Sequence, residues 1–338
     1  MKILVIRNDR LGDFMLAWPA LALLRKNMPK AHIAVLVPSY TQPLAEACPY
    51  IDEVVVDPKH GSDLRSAWTL AKLIKHKNFD TAITLFSRLD TALAVWLAGI
   101  TRRYAPATKI AQIFYNRRIT QRRSRSEKPE YEYNLDLART FLAEQGVVKP
   151  KAVKPPYLVF KPKATAGLER KFRKAHQIPA KRKLVFVHAG HGGSAVNLSL
   201  GQYASLIHKL AVHKKLYFVL SAGPGEEIQV QRLSSLLVKE AHSVYISDQG
   251  LLDFAKHLPF CDVFISGSTG PLHIAGALNC RTAAFYPRRL SSTALRWQTI
   301  NDADRRLAFE PPAGSAENDM SAIDLAAAAA EIKARFLR

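Results

Sequence analysis

The residues whose spacing carries most chemistry are Ser266-Gly-Ser-Thr-Gly-Pro-Leu-His-Ile-Ala-Gly-Ala-Leu278. They follow a short apolar run, residues 262–265, whose β-branched and aromatic side chains read as a buried strand. Gly267 and Gly270 then permit a tight turn and a close approach of backbone to a ligand. Pro271 stands where a first helical residue belongs, because its missing N–H would be unpaired there anyway. The free N–H groups and positive dipole end of that helix face the loop, a site suited to phosphate. Ser268 and Thr269 are small enough to admit a diphosphate and carry hydroxyls to bond it. A tight turn serving only the fold is the alternative, since glycine-rich turns abound in α/β proteins.

Two further glycine-bearing loops follow strands in the same half of the chain. Strand 184–187 runs into Ala189-Gly-His-Gly-Gly-Ser194, and strand 216–220 into Ala222-Gly-Pro-Gly-Glu-Glu227. Helices are expected at 200–211, from 227 to 239 and at 251–257, with a strand near Val244 and a last strand at 282–285. Ser321-Ala-Ile-Asp324 has the form of a capping box opening an alanine-rich terminal helix. Ligands of open α/β sheets bind at the carboxyl ends of strands, so the three loops are expected to share one cleft.

The first half alternates in the same way. Strands are expected at 3–6, 32–37, 54–56 and 81–86, and helices at 14–27, up to 45, 64–75, 91–98 and 131–144. Such alternation argues for parallel, doubly wound sheets. Asp13 lies just after the first strand, where a carboxylate reaches ligand or caps the helix that follows. Residues 102–128 carry nine Lys and Arg with interleaved Tyr104, Phe114 and Tyr115. Residues 149–183 carry twelve Lys and Arg against the single acid Glu169, and read as a connection with a solvated helix at 168–176.

Lys and Arg outnumber Asp and Glu by 49 to 28, a net charge of +21 that implies anionic partners without choosing among them. Cys48, Cys261 and Cys280 lack metal-ligand spacing and read as reduced, buried thiols of a cytoplasmic protein. No apolar run approaches the ~20 residues that span a bilayer, so any membrane association is expected to be peripheral.

In these residues the chain resembles the heptosyltransferases of glycosyltransferase family nine. Lys2-Ile-Leu-Val-Ile-Arg-Asn-Asp-Arg-Leu-Gly-Asp-Phe14 is similar to the family's amino-terminal strand and Leu-Gly-Asp turn. Gly190-His-Gly-Gly-Ser-Ala195 with Tyr203 resembles its donor loop, Ala222-Gly-Pro-Gly-Glu226 its Gly-Gly-Pro-x-Glu loop, and Ser268-Thr-Gly-Pro-Leu-His273 its Asp-Thr-Gly-x-x-His signature. The resemblance implies the GT-B architecture, two Rossmann-like doubly wound domains facing across a cleft. Residues 1–165 would bind acceptor and 166–320 the nucleotide-sugar, with 321–338 a terminal helix packing back toward the first domain.

It also implies an inverting transfer, without metal or cofactor, of heptose from ADP-heptose onto a lipopolysaccharide core at the cytoplasmic side of the inner membrane. Asp13 would be the general base. Ser194, Glu226, Ser268, Thr269, Gly270 and His273 would meet the donor, and Arg7 and Arg10 an acceptor phosphate or carboxylate. Three positions depart from the pattern. Val196 and Leu198 stand where the family often has lysine and tryptophan, and Ser268 where it has aspartate; Arg288 and Arg289 could supply the missing charge. A catalytically inactive nucleotide-sugar-binding subunit is therefore an alternative, and a basic nucleic-acid binder another, although no nucleic-acid module is visible.

Overall fold

The structure, a computed structural model, describes residues 1–58, 64–190, 196–212 and 215–338. The chain divides into two units, Met1–Tyr157 and Leu158–Arg338. The first contains strands β1 (Lys2–Ile6), β2 (His32–Val37), β3 (Glu53–Val56), β4 (Thr81–Thr84), β5 (Arg102–Pro106) and β6 (Arg117–Ile119). All neighbours are parallel, in the order β3-β2-β1-β4-β5-β6. The second contains β7 (Lys183–His188), β8 (Leu216–Ala222), β9 (His242–Ile246), β10 (Val263–Gly267), β11 (Thr282–Phe285) and β12 (Arg306–Phe309). They too are all parallel, in the order β12-β11-β10-β7-β8-β9. Each sheet is thus a doubly wound Rossmann sheet whose order reverses once, beside β1 and β4 in the first unit and beside β7 and β10 in the second.

Continuous apolar runs suit strands that helices cover on both faces. In β1 Ile3, Leu4 and Ile6 are fully buried, as are Leu184, Val185 and Phe186 in β7. Register places Ile6 of β1 between Leu36 of β2 and Thr84 of β4.

Several elements differ from expectation. The helix expected at 14–27 is two helices, Leu11–Met15 and Trp18–Asn27. Pro19 has no N–H to give the Met15 carbonyl, so a single helix cannot run through. Residues 102–119 form two added strands, with Tyr104 buried and edge-on to Phe141 at 5.5 Å. β12 follows the strand expected to be last. The cap of the terminal helix Leu325–Phe336 is Asp324, which accepts from the N–H groups of Ala326 and Ala327; Ser321 instead bonds Asp319 in the preceding turn.

The division between units falls at 157/158, not 165/166. Helix Pro162–Ala175 explains this, because its buried Phe172 packs with Phe186, Tyr245, His257 and Phe260 of the second unit. The terminal helix, expected to pack toward the first domain, buries Ala328, Ala329, Ile332 and Phe336 in the second unit's own core. Cys48 and Cys280 are buried and Cys261 half-buried, all three free; burial pushes the Cys48 and Cys280 thiols up to about 12.

Candidate active site

In the first unit, β1 ends at the point where strand order reverses, and Arg7 to Arg10 turn there into the helix Leu11–Met15. Arg10 occupies the cap position with extended backbone, so Asp13 sits inside the first turn and is not the cap. Asp13 is 8 % exposed and Arg7 3 %. The Arg7 guanidinium donates from Nη2 to Asp13, from Nε to Asp9 (2.9 Å) and from Nη1 to Glu130 (3.0 Å) and the Asn134 side-chain oxygen (3.3 Å). Glu130 also accepts from Arg123 at 2.8 Å. Asn134 in turn donates to the Leu16 carbonyl (3.0 Å), tying helix Glu130–Glu144 to this turn.

Two guanidinium groups therefore face three carboxylates in a largely dry cluster. Burial is the main cause that pushes Asp13 up to about 7; Arg7 opposes it, and Asp9 and Glu130 reinforce it. Burial would lower the Arg7 pKa, but the same three carboxylates outweigh it and hold the guanidinium charged. Arg7 was expected to meet an acceptor anion, but its hydrogen bonds go to this internal cluster. Arg10 is exposed.

In the second unit, the loops after β7, β8 and β10 come together. A β-carbon on Gly190 would lie 2.2 Å from the Glu226 carboxyl group, and one on Gly267 2.4 Å from the Asn197 side-chain oxygen. Glu226 accepts from the Gly223 N–H at 2.9 Å and lies 3.5 Å from His188 Nε2. His188 is buried, which lowers its pKa, with the Glu226 charge acting the other way. Asn197 donates to the Ala189 carbonyl (3.1 Å) and accepts from Leu198 N–H (2.9 Å) and the Tyr203 hydroxyl (2.7 Å). The Ala189 end of the β7 loop is thus pinned to helix Leu200–Ala211. Ser194 lies outside the described residues.

After β10, Thr269 is the cap residue of helix Gly270–Ala277, yet its side chain makes no cap hydrogen bond. Its hydroxyl turns inward to Ser266, Oγ1 to Oγ 3.0 Å. The first-turn N–H groups of Gly270 and Leu272 are left without a side-chain cap, which suits them to an oxyanion. Ser268 is half-buried at the mouth of this turn. His273 is buried one turn in, where burial pulls its pKa down to about 4 and keeps the imidazole neutral; its Nδ1 has no hydrogen-bond partner among the described residues. Leu198 is buried core and Val196 part-exposed, while Arg288 is exposed and donates to the Pro312 carbonyl at 3.0 Å.

Glu130, Asn134, His188 and Asn197 were not singled out from the sequence. Glu130 and Asn134 had a readable signal, because polar residues four apart share one helix face. His188 had none, since its partners Ser221 and Glu226 are far away in the chain; nor had Asn197, whose role depends on how the β7 loop folds against Tyr203.

Two Rossmann units with ligand loops at their strand-order reversals are the arrangement of the GT-B glycosyltransferases. The chain belongs to glycosyltransferase family 9, the heptosyltransferase family, whose profile matches residues 67–310. A Haemophilus influenzae protein to which glycosyltransferase activity is ascribed is 48% identical over 334 residues, covering 98% of this chain and 95% of its own length. The crystal structure of a family 9 glycosyl transferase from Veillonella parvula superposes with a TM-score of 0.82 at 18% identity, covering 99% of this chain and 97% of that one. Escherichia coli ADP-heptose lipopolysaccharide heptosyltransferase II does so with a TM-score of 0.80 at 19% identity, covering 100% and 99%.

Proposed function

We propose that the protein is an inverting transferase that moves heptose from ADP-heptose onto a lipopolysaccharide core or a related anionic glycolipid, with Asp13 as general base. The observation that carries this reading is the buried Asp13 carboxylate at the end of β1, whose proton affinity is raised to about 7. A carboxylate so poised is ionised in part at neutral pH, yet basic enough to take a hydroxyl proton. The donor and acceptor classes are those in the name of the Escherichia coli structure of like fold.

In the reaction, Asp13 takes the proton of the acceptor hydroxyl as its oxygen bonds the anomeric carbon. The bond from that carbon to the diphosphate breaks on the opposite side, which inverts the centre, and ADP leaves with the electron pair. The N–H groups of Gly270 and Leu272, with the dipole of their helix, meet the charge that develops on the diphosphate. No cofactor and no metal ion is assigned a step. Glu226 accepts hydrogen bonds from the ribose hydroxyls, Ser268 faces the transferred sugar, and Ser194, in the loop that follows β7, meets the donor. His273, neutral and buried, supports the phosphate turn from within. Arg10 meets an acceptor phosphate. Arg7 holds Asp13 in place.

Among the described residues no helix is long and apolar enough to cross a membrane. We place the enzyme in the cytoplasm, acting on glycolipid in the adjacent leaflet of the inner membrane.

The test is a panel of ADP-, UDP- and GDP-sugars scored by melting temperature, followed by transfer to a heptose-deficient lipopolysaccharide. A ligand at a hundred times its dissociation constant stabilises by about 2.7 kcal/mol. ADP-heptose should stabilise and turn over. Stabilisation without transfer to any acceptor would identify an inactive binding subunit, and no stabilisation by any sugar nucleotide would overturn the reading.

A further inference from the structure

Helices Leu64–Lys75 and Leu89–Leu97 pack side by side on one face of the first sheet, and the turn Ile110–Phe114 lies against the second of them. Their inner faces are filled: Leu70, Ala71, Ile74, Ala94 and Val95 are in the core beneath. Their outer faces nevertheless carry large apolar side chains. Leu64 is 76% exposed, Trp68 57%, Trp96 50%, Leu97 39%, Ile110 70% and Ile113 64%. Trp96 continues onto the turn, its ring 5.8 Å from Phe114. The core does not need these side chains, and contiguous exposed apolar surface of this kind marks a docking site.

The charge around them is one-sided. Residues 64–126 hold thirteen Lys and Arg against two acids, Asp80 and Asp90. Asp90 is buried and paired with Arg88, and Asp80 accepts from the Lys2 backbone N–H at 2.6 Å. Arg65, Lys72, Lys75, Lys109 and Arg118 are exposed. The Lys72 ammonium stands 3.5 Å from the centre of the Trp68 ring. Of the arginines between 117 and 125, Arg123 is spent on the buried Glu130 and Arg117 pairs with Glu144, so attachment cannot rest on them alone.

We propose that this face, helices Leu64–Lys75 and Leu89–Leu97 with the turn Ile110–Phe114, docks the protein on an anionic lipid bilayer. Trp and aliphatic side chains enter the interfacial zone, where indole rings settle, and the surrounding cations meet anionic headgroups. A second copy of the chain is the wrong occupant. A two-fold contact would press this positive face against itself, and among the described residues of the two helices and the turn the single acid, Asp90, is buried. The proposal names the lipid surface from which a glycolipid acceptor would be drawn, but it does not depend on the sugar-transfer reading.

The test is co-sedimentation with phosphatidylcholine vesicles prepared with and without phosphatidylglycerol. The wild-type protein should bind the anionic vesicles, roughly tenfold tighter than the neutral ones at low salt. Trp96→Ser/Ile110→Ser/Ile113→Ser should weaken that binding roughly tenfold. Ile110→Ser/Ile113→Ser alone, at positions too exposed to threaten the fold, should weaken it to a smaller degree. Melting shifts with nucleotide-sugar should be the same in all three proteins, which separates loss of docking from loss of the site. Unchanged partition in both variants would overturn the proposal, as would equal binding to neutral vesicles. So would a concentration-dependent dimer in sedimentation equilibrium that the same substitutions abolish.

Discussion

Gly190 and the Glu226 carboxyl group are so close that a β-carbon on the glycine would lie 2.2 Å from the acid. Two loops that follow different strands therefore meet with no side chain between them, and the contact fixes where the carboxylate points. Gly190→Ala should displace Glu226 and weaken ADP-sugar affinity about tenfold, near 1.4 kcal/mol, while acceptor KM stays unchanged. Titration calorimetry on the variant decides this. Wild-type affinity would remove Glu226 from the nucleotide site.

Gly270→Val tests the phosphate turn. A branched side chain at the first helical position stands between the backbone N–H groups and a diphosphate. Donor affinity should fall more than acceptor affinity, and inorganic pyrophosphate should lose its competition with the donor. Equal loss for both substrates would mean only that the turn had been distorted.

Asp13 predicts the pH dependence. The active form is the carboxylate, so kcat/KM should rise with pH and level off above about 7. Stability should run the other way. Between the ordinary value of 3.8 and the raised value of about 7, the folded protein keeps a proton that the unfolded chain releases, so stability falls as pH rises across that window. Asp13→Asn removes this slope, and its melting temperature should gain on wild type between pH 5 and pH 8. A gap independent of pH would show that Asp13 does not bind its proton this tightly.

Glu130 lies beneath Asp13 and joins Arg7 to Arg123. Glu130→Ala leaves the buried Arg7 and the half-buried Arg123 without it and should cost ~3–5 kcal/mol in urea unfolding. Arg118→Gln, at an exposed position, should stay within about 0.5 kcal/mol of wild type. If both variants unfold alike, the buried cluster is not holding the turn together.

The alternation of apolar runs made most strands legible, because a buried parallel strand must be apolar along its length, as Ile3 to Ile6 and Leu184 to Val187 are. The added strands 102–106 and 117–119 were hidden by their arginines. These snorkel or pair at the sheet's edge, Arg103 with the Phe114 carbonyl and Arg117 with Glu144. β12 was hidden because it is an edge strand in which only Leu307 is buried, so it is not apolar along its length. At the site, the glycine turns were readable because Gly190 and Gly267 leave no room for a side chain and Gly225 takes a left-handed backbone. What could not be read was the company each residue keeps. Arg7 looks in sequence like a ligand for an anion, and only the fold brings Glu130 and Asn134 to it from more than a hundred residues away.

The central claim is that Asp13 does chemistry and not merely capping or packing. The direct measurement is the turnover of Asp13→Ala on ADP-heptose and a lipopolysaccharide acceptor, with donor affinity taken on the same preparation by calorimetry. Loss of a general base lowers the rate ~10²–10⁴-fold. The expected result is a fall of that size with donor affinity nearly unchanged. Near-normal turnover in a folded variant would contradict the account.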